Sequence, residues 1–104
     1  MVEQRRHQRT PIDLAVAFGA KDAEATRTGR AKDVSVGGMF IETAEPLPFS
    51  SEVVVSLQPP GAARPVRLPG LVRWTNARGM GVQFGLLGAR ETHALTELAR
   101  DRTS

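Results

Sequence analysis

The alternation of hydrophobic and polar positions predicts short strands over most of the chain. Leu14, Val16 and Phe18 recur at period two within the segment Ile12–Phe18, so we expect them on one face of a strand. The same reasoning predicts five further strands, Thr26–Ser35, Met39–Thr43, Glu52–Leu57, Val66–Trp74 and Met80–Phe84. Turn-forming residues separate them, including a loop over Gly19–Ala25 and a hairpin turn over Asn76–Gly79.

The hydrophobic period changes near the end of the chain. Apolar residues between Ala94 and Ala99 follow helical spacing, which predicts a helix from about Ala89 to Arg100. Within the fifth predicted strand, Pro69-Gly70 indicates a bulge or an edge position. Six short strands with regularly spaced turns predict an all-β domain, either a small barrel or a sandwich, closed by one C-terminal helix.

The chain length of 104 residues suits one domain. Residues 1–10 are polar and basic without apolar periodicity, so we predict a flexible basic arm there. The remaining residues, 11–104, are expected to form the β domain with its helix.

Composition narrows the functional classes. The chain has no cysteine, which excludes disulfides and thiolate zinc sites and fits a cytoplasmic protein. No segment approaches the roughly 20 apolar residues of a membrane span. The net charge of +3 is mild, so a DNA partner is not expected. We expect a monomer or a weak dimer, with no metal and no cofactor.

An arginine-rich segment before the first strand carries one part of the candidate chemistry. Its candidate ligand-binding residues are Arg5, Arg6 and Arg9. A guanidinium presents a planar fork of donors that matches phosphate oxygens and the O6 and N7 acceptors of guanine. A ligand that combines phosphates with purines could bind both Arg5 and Arg9; the alternative interpretation of the segment is a solvated basic tail.

The turn between the second and third strands carries the other part. Its candidate residues are Asp33, Ser35, Gly37 and Gly38. Asp33 and Ser35 are two residues apart, so on a strand they point the same way, and the carboxylate accepts from guanine N1–H and N2–H₂. The two glycines permit a positive φ and a close approach of the backbone to a ligand.

Together these residues form two motifs in a fixed order, R-x-x-x-R from Arg5 to Arg9 and [DN]-x-S-x-x-G from Asp33 to Gly38. The first is expected about once by chance in this composition, whereas the second has only about a 2% chance of occurring. The chain resembles the PilZ domain family, bacterial modules that bind cyclic di-GMP. Further similarity lies in PIDLAVAF, LVRW and GVQF.

The resemblance implies a six-stranded antiparallel β-barrel with a short C-terminal helix. It implies that Arg5 and Arg9 hold phosphates and guanine faces and that Asp33 and Ser35 surround one guanine. By the same resemblance Gly38 contributes backbone and Arg6 a further phosphate contact. The expected function is a cyclic di-GMP receptor that relays the signal as an adaptor to a separate, unidentified effector protein.

Other readings stay open at this stage. The runner-up is a PilZ-like protein-interaction module that does not bind nucleotide, and a third is a small basic barrel that binds RNA non-specifically. Trp74 is expected in the core or at the barrel rim rather than as a stacking platform. An enzyme is not expected, because Ser35 lacks a G-x-S-x-G context and the glycines lack the Lys-Ser/Thr of a phosphate-binding loop.

Overall fold

The computed structural model describes residues 9–24 and 27–99. These residues form six strands and one helix: β1 (Thr10–Ala20), β2 (Arg27–Ser35), β3 (Gly38–Glu42), β4 (Glu52–Leu57), β5 (Val66–Asn76), β6 (Gly79–Phe84) and α1 (Ala89–Leu98). The strands close into a barrel in the order β1-β2-β3-β6-β5-β4, and every neighbouring pair is antiparallel. The prediction of an all-β, six-stranded antiparallel barrel with a C-terminal helix is therefore confirmed, and the sandwich alternative is wrong.

The barrel is filled by the inward-facing residues of all six strands. Alternation along β4 places Val53, Val55 and Leu57 inside and leaves the residues between them partly exposed. The largest side chains that are fully buried are Phe18, Met39, Ile41, Leu68, Met80 and Leu95. Because strands alternate at period two, the same pattern that fills the core also fixes which side chains face outward.

The helix α1 packs its apolar stripe against the barrel. Ala94, Leu95 and Leu98 are buried on that stripe, and the helix contacts β2 and β5. The hydroxyl of Thr10 donates a 2.9 Å hydrogen bond to the Ala99 carbonyl. The start of β1 is thereby held against the end of the helix, close to where the arginine-rich segment enters the fold.

Most predicted element bounds differ from the observed ones by one to two residues at the ends. The first strand is longer than predicted, because Gly19 and Ala20 pair with Val54 and Val53 of β4 rather than starting a loop. It also begins at Thr10, the last residue of the predicted arm. The hairpin turn is confirmed. The side-chain carbonyl of Asn76 accepts the backbone N–H groups of Arg78 and Gly79.

Of the two alternatives predicted at Pro69-Gly70, a bulge or an edge position, the bulge is wrong. Pro69 pairs in regular register with Val54, and Gly70 continues that register on both sides. The last β5–β6 pair is Gly70 with Phe84, so Pro69 lies beyond the end of β6. No ladder hydrogen bond is therefore lost because proline lacks an N–H, and the Pro69 carbonyl accepts the backbone N–H of Gly85. A register shift occurs instead between Val72 and Trp74.

Candidate functional site

An ion pair joins the two predicted motifs on the outer face of the barrel. The Nη1 atom of Arg9 donates a 2.6 Å hydrogen bond to Oδ1 of Asp33. Arg9 lies immediately before β1, and its side chain is 37% exposed against 31% for that of Asp33. Residues 24 positions apart in the chain thus meet at one solvent-accessible point.

An irregularity in β2 accompanies the outward position of Asp33. The register of β2 against β3 shifts between Ala31 and Asp33, so the partner of Asp33 is Phe40. Ala31 and Val34 are buried, whereas Lys32 and Asp33 between them are both partly exposed. One extra residue in a strand lets two successive side chains share a face. The Oδ1 atom of Asp33 also accepts the Phe40 backbone N–H at 3.1 Å.

Ser35 lies behind this ion pair at the end of β2. Its side chain is buried, and its hydroxyl oxygen accepts the backbone N–H of Gly37 at 3.0 Å. The Gly37 carbonyl in turn accepts the backbone N–H of Phe84 at 2.9 Å. Ser35 and Gly37 therefore shape the tight turn from β2 to β3 and connect it to β6.

Gly38 is required by close packing of the backbone. A Cβ atom at this position would lie 2.2 Å from the Val82 carbonyl oxygen of β6, so any other residue would push the two strands apart. Among the described glycines only Gly61 has a positive φ. Gly37 and Gly38 thus do not use the positive φ that glycine permits, and the constraint at Gly38 comes from the neighbouring strand.

A pair of stacked aromatic rings lies beside the ion pair. The rings of Phe40 and Trp74 are 5.3 Å apart between centroids and inclined by only 10°. Both side chains face outward, and Trp74 is 43% exposed. Gly81 lies between them on β6, and a Cβ there would come within 2.3 Å of the Trp74 ring. Trp74 is therefore outside the core, so the core half of the expectation of core or barrel-rim packing is wrong.

These side chains form one row across four neighbouring strands. Asp33 of β2 pairs with Phe40 of β3, which pairs with Gly81 of β6, which pairs with Trp74 of β5. With strands about 4.8 Å apart, the row extends over three inter-strand spacings. It presents a guanidinium, a carboxylate and an aromatic surface side by side.

The surface next to this row carries two further cations on β2. Arg30 and Lys32 contact Oδ1 of Asp13 on β1, at 2.6 Å and 3.4 Å. The hydrogen bond from Arg30, with its positive charge and that of Lys32, lowers the pKa of the Asp13 carboxyl from its ordinary value of 3.8. Anionic charge at Asp13 thereby balances part of the cationic charge along β2.

The predicted site residues are brought together in part. Arg9 and Asp33 touch, and Ser35, Gly37 and Gly38 form the adjacent turn. Arg5 and Arg6 lie outside the described residues. The sequence analysis did not single out Phe40, and it did not expect Trp74 to offer a stacking surface. The available signal was glycine at outward-facing positions of β6, which leaves room for a large ring on a neighbouring strand.

Comparison with protein-family models shows to which family the chain belongs. The family model described as "PilZ domain" matches residues 3–100. The chain belongs to the PilZ domain family. No curated protein matches the chain significantly.

Solved PilZ structures share this fold. The PilZ domain of CeSA from a cellulose-synthesizing bacterium is 21% identical, with a TM-score of 0.70 over 88% of this chain and 94% of that one. The PilZ domain of YcgR from Escherichia coli, solved with c-di-GMP, is 17% identical, with a TM-score of 0.69 over 93% and 89%. The MrkH–c-di-GMP complex of K. pneumonia is 17% identical with a TM-score of 0.67; the match covers 93% of this chain but 50% of MrkH.

The described part of this PilZ domain has neither a metal-binding cluster nor a membrane-spanning helix. No group of three or more histidine, cysteine, aspartate or glutamate side chains could hold a metal ion within residues 9–24 and 27–99. Over the same residues, no helix combines the length and apolar character that crossing a membrane requires.

Proposed function

We propose that this PilZ domain binds cyclic di-GMP without catalysis and relays the signal to a separate protein. The observation that carries the proposal is the row of Arg9, Asp33, Phe40 and Trp74 on one outer face. Each chemical feature of a cyclic guanine dinucleotide, namely its phosphates, its guanine edges and its base faces, has a matching group in that row.

The ion pair supplies the polar contacts in this proposal. The guanidinium of Arg9 would bind phosphate oxygens or the O6 and N7 atoms of a guanine. Asp33 uses Oδ1 for both of its described hydrogen bonds, so Oδ2 is available to accept from guanine N1–H and N2–H₂. Arg5 and Arg6 would add phosphate contacts, and Ser35, Gly37 and Gly38 would hold the turn on which Asp33 depends.

The aromatic pair supplies the apolar contact. Base stacking on an aromatic side chain contributes about 1–3 kcal/mol per base, and Trp74 is exposed enough to offer a face. The contact between Arg9 and Asp33 presents a small barrier, because both side chains are about one-third exposed and such pairs contribute about 1 kcal/mol or less. A ligand could therefore take over the Arg9 fork at little cost.

Support from relatives is indirect but consistent. The YcgR and MrkH structures contain c-di-GMP, and both share this fold. In this chain the residue types of both family motifs are present, at Arg5 and Arg9 and at Asp33, Ser35 and Gly38.

Calorimetric titration of cyclic di-GMP tests the proposal directly. Wild-type protein should bind saturably with a Kd of about 10 μM or tighter, which corresponds to about −7 kcal/mol or better. Arg9→Ala and Asp33→Ala should each weaken binding at least about tenfold. Arg9→Lys keeps the charge but loses the planar fork, so it should also weaken binding. The single tryptophan, Trp74, should change its fluorescence on titration.

Controls separate specific binding from charge effects. Arg90→Gln removes an exposed arginine of α1 and should leave the affinity unchanged. The mononucleotide GMP should not compete with cyclic di-GMP at equal concentration. If folded wild-type protein gives neither heat nor a fluorescence change, the receptor proposal is wrong, and the non-nucleotide interaction module becomes the better description.

A further inference from the structure

The outer face of β5 carries a row of exposed side chains separate from the aromatic one. Val66, Leu68 and Val72 point into the core, so the residues between them face solvent. From one end of the strand to the other, the outward residues are Arg67, Pro69, Leu71 and Arg73. Successive members are about 6.6 Å apart along the strand. We call these four residues the β5 stripe.

The arginines of the β5 stripe differ from most others of the barrel in having no partner. Arg9, Arg30 and Arg78 each pair with a carboxylate. Within residues 9–24 and 27–99, Arg67 and Arg73 make neither an ion pair nor a side-chain hydrogen bond, although both are exposed. Their donors are therefore all directed to solvent, and two positive charges stand uncompensated on one face.

A groove surrounds Leu71 in the middle of the β5 stripe. It has a volume of about 510 Å³, and its lining includes Glu52, Pro69, Leu71, Arg73, Gln83 and Phe84. Leu71 is 38% exposed and offers an apolar contact in this groove. The one carboxylate in the groove, Glu52, pairs with Lys21 at 3.3 Å and makes no ion pair with Arg73.

The closed barrel restricts how a partner could use this face. Every described strand has a neighbour on both sides, and β5 pairs with β4 over Val66–Leu71 and with β6 over Gly70–Asn76, so only short stretches at its two ends are unpaired on one side. Recognition along the β5 stripe is therefore expected chiefly through side chains. We propose that the β5 stripe is a docking surface for an acidic protein segment that places an apolar side chain against Leu71 and carboxylates on Arg67 and Arg73.

The shape of the surface favours a protein segment over an anionic membrane. Lipid-binding patches usually combine four to eight basic residues on a flat or convex face. Here two arginines flank a concave apolar groove, an arrangement that matches an apolar anchor with charged neighbours.

The position of the β5 stripe links it to the nucleotide site. The register shift between Val72 and Trp74 leaves Arg73 and Trp74 both exposed, one lining the groove and the other stacked on Phe40. A ligand that moved the Trp74 ring would thus act one residue away from the docking arginine. This inference deepens the proposed adaptor function and rests on it, because it names the chemistry of the effector protein.

A labelled peptide tests the docking surface. The probe is a fluorescein-labelled synthetic peptide of about ten residues, in which one leucine is flanked on both sides by glutamates. Fluorescence anisotropy should show saturable binding to wild-type protein. Arg67→Gln and Arg73→Gln should each weaken binding about two- to fivefold, as expected for exposed ion pairs. Leu71→Ser should weaken it at least as much, and amide NMR shifts should centre on Leu71, Arg73 and Gln83.

The matched control is Arg90→Gln, which removes the same charge from an unpaired, exposed arginine on α1. Its affinity should equal that of wild type, and a peptide with glutamine in place of glutamate should not bind. Absence of saturable binding up to about 1 mM overturns the proposal, as does equal weakening by Arg90→Gln. Binding to phosphatidylserine-containing vesicles, weakened by Arg73→Gln, in place of peptide binding also overturns it and identifies a membrane surface.

Nucleotide binding is measured separately on the same proteins. The peptide titration is run without nucleotide, and cyclic di-GMP is titrated without peptide into wild type and Arg67→Gln. If wild-type protein binds cyclic di-GMP but not the peptide, only the docking surface is refuted. The reverse result refutes only the receptor function.

Discussion

At the residue scale, one extra residue in β2 determines where the side chain of Asp33 points. The register shift in β2 puts its carboxylate on the outer face, where one oxygen holds both Arg9 and the Phe40 backbone. That arrangement positions the arginine, and among the described residues the second carboxylate oxygen has no hydrogen-bond donor. A partly exposed ion pair of this kind orients a side chain without locking it.

The carboxyl of Asp13 provides a prediction at the same scale. Its pKa is lowered chiefly by the hydrogen bond from Arg30, so Arg30→Gln should raise it toward 3.8, and Lys32→Gln should raise it less. Because the folded-state pKa is the depressed one, the stabilisation is present above the ordinary value and is lost as the pH falls through the folded value. The stability difference between wild type and Arg30→Gln should therefore shrink as the pH falls below 3.8 and disappear below the folded-state pKa of Asp13.

Carbon-13 NMR titration of the Asp13 side chain measures this effect. Equal midpoints in wild type and Arg30→Gln would contradict the assigned cause. A larger shift in Lys32→Gln than in Arg30→Gln would instead identify the lysine as the main partner.

The sequence motifs named Arg9 and Asp33 as candidate site residues, but they did not indicate how the two side chains are oriented. The motif spacing singled out Arg9 and Asp33, and the two side chains meet. The prediction could not include the β2 register shift, because a bulge depends on how the neighbouring strands pair. Nor could it show that Gly38 packs against the Val82 carbonyl, since that contact joins residues far apart in the chain.

At the scale of elements, the aromatic pair depends on three strands in register. Trp74 on β5 reaches Phe40 on β3 only because the strand between them, β6, has glycine at the crossing point. The outer surface of β6 thus acts as a shallow channel across which the two rings stack. Strand existence followed from hydrophobic period, yet the identity of neighbouring strands did not, which is why this pair was missed.

Gly81→Ala tests this dependence. The added Cβ would lie 2.3 Å from the Trp74 ring, so the ring must leave Phe40 and become more exposed. We expect a red shift of the single tryptophan's fluorescence and a loss of about 0.5–1.5 kcal/mol of stability, the usual contribution of an aromatic pair.

Gly85→Ala is the matched control, because its Cβ would lie 3.8 Å from the nearest backbone oxygen and needs no rearrangement. Its spectrum should equal that of wild type. A wild-type spectrum for Gly81→Ala would mean that the ring does not rest on that glycine.

At the scale of the whole molecule, stability comes from a core to which all six strands contribute. The closed order β1-β2-β3-β6-β5-β4 surrounds Phe18, Ile41, Leu68 and Met80 with partners on every side. The hydrophobic pattern placed Phe18, with Leu14 and Val16, on one face of the first strand. It left barrel and sandwich equally open, and only the resemblance to PilZ domains indicated closure, because the pairing of β1 with β4 leaves no local signal in the sequence.

Leu68→Ala should show the contribution of the core. The side chain is fully buried, so its truncation should lower the free energy of unfolding by about 2–5 kcal/mol. Its exposed neighbour provides the comparison, since Arg67→Ala should change stability by no more than about 0.5 kcal/mol. Urea denaturation of both variants measures the difference, and similar values would show that β5 does not face the core as described.

The strand order also determines when during synthesis the domain becomes competent. Arg9 and Asp33 are made early, but their aromatic neighbour Trp74 belongs to β5, and β3 reaches that strand only across β6. A nascent chain that has left the ribosome only as far as β3 therefore contains Arg9 and Asp33 but lacks the aromatic partner of Phe40. If the row of side chains is the receptor site, a response to the messenger requires a chain that is translated at least through β6.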